Sequence, residues 1–226
     1  MNILVIGETQ HVEECKQKFG KTHTYQTTKG HQAAEKFFAG SEVIFDFIID
    51  EAPEQMEVYR DHPHVVAFLN TTKISLLELV TGFAGAIKCT LFGFNGLPTF
   101  LDRNIIEVSL LNNTKSEVLK SICENLQTQF LVVDDRVGMV TPRVICMIIN
   151  EAYFTLQEGT ATREDIDKGM KLGTNYPFGP FEWCNRIGIR HVYELLEAVY
   201  DDTKDERYKI CPLLKKEYFL ATQALH

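Results

Sequence analysis

Apolar positions follow two rhythms along the first part of the chain. Asn2–Ile6 is a short apolar run that stops at Gly7. Glu42–Ile49 (Glu-Val-Ile-Phe-Asp-Phe-Ile-Ile) is a longer one, continuous enough to predict a strand covered on both faces. Val65–Leu69 reads the same way. Between them His11–Phe19 and His31–Ala39 carry helical spacing, the second stopped by Gly40, with a β-favouring stretch at Thr22–Thr27. Strands alternating with single helices predict βαβ units and a mostly parallel sheet. After Gly85 the pattern changes. Lys88–Phe94 and Ile105–Leu110 predict strands joined by a loop containing Gly and Pro. Ser116–Gln127 predicts an amphipathic helix capped by Ser116, and Phe130–Val133 a closing strand.

From Asp134 onward strand signals vanish. Pro142–Leu156 is apolar nearly all round, as in a helix buried in a bundle or a subunit interface: Val144, Ile145, Met147, Ile148 and Ile149 cannot all face one core. Thr162 caps a further helix with acids in its first turn, and Ile189–Tyr200 and Leu213–Ala221 predict two more. Asp201–Arg207 reads as a solvated loop. The division is expected near residue 134, giving an α/β part over 1–133 and an all-helical part over 134–226.

Composition narrows the classes. The 226 residues hold 23 Lys and Arg against 31 Asp and Glu, a net charge of −8, which argues against nucleic acid or an anionic membrane as the main partner. No window approaches the ~18 apolar residues of a membrane span. The N-terminus runs straight into a strand without a basic region, so no signal peptide is expected. The six cysteines (15, 89, 123, 146, 184 and 211) are scattered without a C-x-x-C pair, which predicts reduced thiols in a cytoplasmic chain and no metal site.

The run Glu164-Asp-Ile-Asp-Lys-Gly-Met-Lys-Leu-Gly-Thr-Asn-Tyr-Pro-Phe-Gly-Pro-Phe-Glu182, with Asn150-Glu-Ala upstream and Pro212-Leu-Leu downstream, closely resembles the C-terminal domain of the 3-hydroxyacyl-CoA dehydrogenases. Asn70-Thr-Thr, Phe83-Ala-Gly and Phe94-Asn-Gly-Leu-Pro98 extend the resemblance upstream, and Glu42–Asp46 is similar to the family's central strand with its terminal acid. The resemblance implies a Rossmann-like, truncated, mostly parallel sheet followed by a helical 6-phosphogluconate-dehydrogenase-like domain. It also implies a homodimer through the C-terminal helices, an acyl-CoA ligand, and NAD-dependent oxidation in fatty-acid β-oxidation. Asn70 and Asn95 are the substrate-binding positions it implies.

The chemistry, taken residue by residue, departs from that pattern. Hydride transfer from a secondary alcohol needs a base for the hydroxyl proton. Aligning Phe94-Asn95 with the family motif puts Phe92 where the catalytic histidine stands, and no histidine occurs between Val65 and Arg190. Glu107 matches the carboxylate that would orient that base, as a remnant. Pro142 takes the place of a second catalytic side chain, an asparagine. His62 and His64 precede a strand at its N-terminal end, away from where such sheets bind ligands, whereas His11 is better placed but reads first as a surface-helix residue. The expected G-x-G-x-x-G maps to Gly7, Thr9 and Val12, so Gly7 alone remains, and Gln26, Thr27 and Thr28 stand where an acid should hold the ribose. Arg136, Arg143, Lys168 and Lys171 are candidates for CoA phosphates. Three readings follow: a catalytically degenerate relative acting by ligand or partner binding, an active dehydrogenase with a relocated base, or a structural dimerisation module.

Overall fold

The computed structural model describes residues 1–82 and 86–223 and divides the chain into two compact units, Met1–Met139 and Val140–His226. Phe83, Ala84 and Gly85, with the resemblance they carry, lie outside the described residues.

The first unit is a seven-stranded sheet in the order β2-β1-β3-β4-β5-β6-β7. Its strands are β1 (Asn2–Ile6), β2 (Thr24–Thr28), β3 (Val43–Asp46), β4 (Val66–Asn70), β5 (Thr90–Phe94), β6 (Ile105–Ser109) and β7 (Gln129–Val133). Neighbours are parallel except β5 and β6, which run antiparallel with Phe94 opposite Val108. The expected mostly parallel sheet is present. Because successive side chains alternate across a strand, the continuous apolar runs feed two cores at once. Ile3, Val5, Phe45, Phe68 and Phe92 pack with Val12 and Cys15 of α1 (Thr9–Phe19) and Leu119 of α4 (Ser116–Asn125). Leu4, Ile6, Ile44, Ala67 and Leu69 face the other way, onto Ala34 and Phe38 of α2 (His31–Phe38) and Leu79 of α3 (Leu76–Thr81).

The central strand is shorter than its apolar run predicts. Asp46 accepts a hydrogen bond from Ile48 N at 3.1 Å, an Asx-type turn that ends the ladder, and Ile49–Glu51 is a 3₁₀ turn. α3 carries too short a pattern to be read from spacing. It is held by its two caps: the Ser75 hydroxyl accepts from Glu78 N, while Asp135 accepts from Leu76 N and Leu77 N at 2.9 and 2.8 Å.

The second unit contains α5 (Thr141–Gln157), α6 (Arg163–Gly173), α7 (Pro180–Ile187), α8 (Ile189–Thr203) and α9 (Pro212–Gln223). Ile145, Ile149, Trp183, Cys184, Leu195, Leu196 and Leu214 are buried in it. The expected loop Asp201–Arg207 is ordered at both ends. α8 runs through Thr203, Lys204 closes it in the left-handed conformation (φ 51°), and Glu206–Tyr208 forms a 3₁₀ turn capped by Asp205. All six cysteines are unpaired.

Candidate functional site

In a sheet of this kind ligands bind beyond the carboxyl ends of the strands, so the turn after β1 is the first place to look. Gly7 N donates to Thr28 O at 2.9 Å, Glu8 N donates to Nδ1 of His11 at 3.0 Å, and His11 N donates back to Glu8 O at 3.0 Å. Gly7 adopts φ 152°, and a Cβ there would fall 2.3 Å from His11 Nδ1, so the close approach of this ring requires glycine. The His11 ring lies flat on Phe47 (centroids 4.4 Å apart, planes within 3°), and Phe47 meets Phe94 edge-on at 5.2 Å. Burial lowers the pKa of His11, with Glu8 and Glu51 pulling it partly back. The expected surface position of His11 is thereby corrected: it is buried, because Phe47 at the end of β3 supplies a face for the ring. At the end of β2 the Thr28 hydroxyl is spent on Gly30, donating to its carbonyl at 2.6 Å.

The strand-end acid Asp46 faces inward. It is fully buried, accepting from the Tyr59 hydroxyl at 2.9 Å and bonded to Nε2 of His31 at 2.8 Å. Asn70 ends β4. Its amide donates to Phe47 O at 3.1 Å and Asp50 Oδ2 at 3.0 Å, and accepts from Gly96 N at 3.1 Å and the Thr72 hydroxyl at 2.9 Å. Both amide hydrogens and both lone pairs are therefore used inside the unit. Asn95 is buried and accepts from Leu97 N at 3.3 Å. Glu107 is buried on β6 within electrostatic reach of Arg103. Phe92 is fully buried, its ring 5.1 Å from that of Phe68. His62 pairs with Glu35 at 3.1 Å, ahead of β4.

In the helical unit the signature run builds structure. Asp167 accepts from Phe181 N at 2.8 Å and Glu182 N at 3.1 Å, capping α7, and a Cβ on Gly179 would sit 2.3 Å from its carboxylate. Asn150 donates to Lys209 O and accepts from Cys211 N, pinning the lead-in to α9. Of the four candidate phosphate cations, Lys171 pairs with Glu182 at 3.1 Å and Arg143 donates to the Tyr208 hydroxyl at 3.2 Å. An apolar cavity of about 320 Å³ opens between α5 and α6, lined by Ile148, Ala152, Ile166, Met170 and Pro180. Among the described residues no helix is long and apolar enough to cross a membrane.

A Rossmann-like sheet followed by a helical unit defines the class. Residues 138–221 match the family model described as 3-hydroxyacyl-CoA dehydrogenase, C-terminal domain. The 3-hydroxyadipyl-CoA dehydrogenase of Escherichia coli is 42% identical over 90 residues, covering 40% of this chain and 19% of that protein. The 3-hydroxybutyryl-CoA dehydrogenase of Bradyrhizobium diazoefficiens is 28% identical over 181 residues, covering 76% of this chain and 62% of that one. The match thus spans less than two thirds of either relative's length. The fold is similar to that of the crystal structure of (S)-3-hydroxybutyryl-CoA dehydrogenase from Ralstonia eutropha (TM-score 0.71, 18% identity, 97% of this chain and 94% of that one). Residues 138–221 thus resemble the C-terminal domain of the 3-hydroxyacyl-CoA dehydrogenases, and the chain as a whole is similar to members of that family at lower identity.

Proposed function

We propose that this chain is a family member that has given up dinucleotide-dependent redox chemistry and acts by binding an acyl thioester or a protein partner. The observation that carries this is the His11–Phe47 stack. It occupies the turn after β1 and uses the Glu8 N–H that an incoming pyrophosphate would need. A dinucleotide does not fit a turn in which Thr9 replaces the second glycine and Thr28 the ribose acid. Phe92 has no proton to move, so Glu107 has no imidazole to orient, and Asn70 serves the rim by holding its loops together.

The helical unit supports the binding role. Val144 and Leu172 are 53% and 77% exposed, and the α5–α6 cavity is almost wholly apolar. We assign this surface to homodimerisation, which is tested by sedimentation at micromolar concentration, a monomer refuting it. Unpaired thiols suit a cytoplasmic setting. Calorimetric titration with NADH and then with acetoacetyl-CoA tests the main reading. Silence with NADH and heat with the thioester supports ligand binding, silence with both supports a partner, and micromolar NADH binding overturns it.

A further inference from the structure

Asp50 carries a buried, unpartnered carboxylate oxygen on the strand-end rim. It stands in the 3₁₀ turn after β3, and its side chain is buried. Its Oδ2 faces Asn70 Nδ2 at 3.0 Å, the Thr72 hydroxyl at 3.3 Å and Lys73 Nζ at 3.9 Å, whereas Oδ1 is buried with no hydrogen-bond partner. The Thr72 hydroxyl has one hydrogen and two acceptors in reach. Asn70 Oδ1, at 2.9 Å, is the nearer and takes it. A Thr72 lone pair then faces Asp50. A protonated Asp50 donates to that lone pair, completing a directed chain from Asp50 through Thr72 to Asn70. An ionised Asp50 sets oxygen lone pairs against each other and leaves a buried charge short of donors.

The charged groups around Asp50 are few. Lys73, on the turn after β4, has Glu51 as its nearer partner at 3.3 Å. Glu51 adjoins Asp50 in its own turn, and Asp46 ends β3; Asn70 and Thr72 are neutral. Burial pushes the Asp50 carboxyl up to about 7, opposed by Lys73 and by the Thr72 hydroxyl, and reinforced by Glu51 and Asp46.

We infer that Asp50 is a proton-dependent latch on the rim. As a neutral acid it ties the turn after β3, through Asn70, to the ends of β4 and β5, and its ionisation loosens that tie. Asn70 extends the reach of the latch, since it also accepts from Gly96 N beyond β5 and donates to Phe47 O. The latch operates whether or not the chain binds a thioester.

The test uses the full chain with labelled Asp carboxyl carbons, followed by NMR across about pH 4.5 to 8.5 together with amide exchange of Gly96 corrected for its intrinsic rate. The Asp50 carboxyl should titrate near neutrality, with Gly96 protection falling roughly five-fold or more across the same midpoint. Asp50→Asn should make that protection independent of pH. Lys73→Met, which removes the opposing cation, should move the midpoint upward. Titration of Asp50 in the ordinary carboxylate range, or Gly96 protection constant through its midpoint, overturns the latch. If Asp50→Asn does not fold, an unmoved midpoint in Lys73→Met overturns it.

Discussion

His11 lies flat against Phe47, imidazole on phenyl, at the point where the first and third strands of the sheet end. His11 closes the turn by accepting from Glu8 N, and Phe47 gives its ring a buried face. Together they convert a solvent-facing crevice into core: the ring closes the first turn of α1 through Nδ1, and Phe47 and Phe94 bury what the ring does not.

Phe47→Ala removes a buried aromatic ring and should cost about 3–5 kcal/mol, read by urea denaturation. NADH should still not bind, because His11 continues to hold Glu8 N. Calorimetric NADH binding in this single variant would show that Phe47, not His11, closes the turn.

The His11 imidazole gives stability a signed pH dependence. Its folded pKa lies below the ordinary 6.5, so the unfolded chain takes the proton more readily. Its contribution is whole above about pH 6.5 and is lost as pH falls through that value towards the lower folded pKa. His11→Gln should flatten this dependence. Denaturation of both proteins on either side of that range checks it, and parallel curves would exclude His11 as the source.

Restoring a histidine at the aligned position should not restore catalysis. Phe92 is fully buried, so Phe92→His places an imidazole without partners in the core, at a cost of about 2–4 kcal/mol. An assay of 3-hydroxyacyl-CoA oxidation should read zero for both wild type and variant, and turnover in the variant would contradict the closed turn.

In the helical unit Asp167→Ala should lower stability by about 0.5–2 kcal/mol, since two backbone donors at the start of α7 lose their acceptor. Asp167→Asn, which keeps an acceptor, should lose less. Thermal denaturation by circular dichroism ranks the two, and equal loss would mean the charge rather than the hydrogen bonds matters.

Much of the fold was legible in local pattern. The runs Asn2–Ile6 and Val65–Leu69 announced buried strands because alternate residues are apolar on both faces, and the helix from Arg163 announced itself through Thr162 and the acids behind it. Phe92, Thr9 and Pro142, on which the proposed loss of redox chemistry rests, are side-chain identities that no packing can change.

Other features were not, because their cause lies far along the chain. Asp46 reads as a strand-end acid until His31 and Tyr59, 15 and 13 residues away, are seen to bond it. His11 reads as surface until Phe47 covers it, Asp50 as an ordinary turn acid until burial strips its solvent, and Asp167 as a helix-face acid until Gly179 brings α7 onto it. The sequence by itself determined the strand and helix pattern and the resemblance of its second part to a dehydrogenase C-terminal domain, because periodicity and side-chain identity are local. Only the tertiary structure decided which polar groups face a ligand and which are spent on each other, because burial and hydrogen-bond partnership arise when distant segments meet.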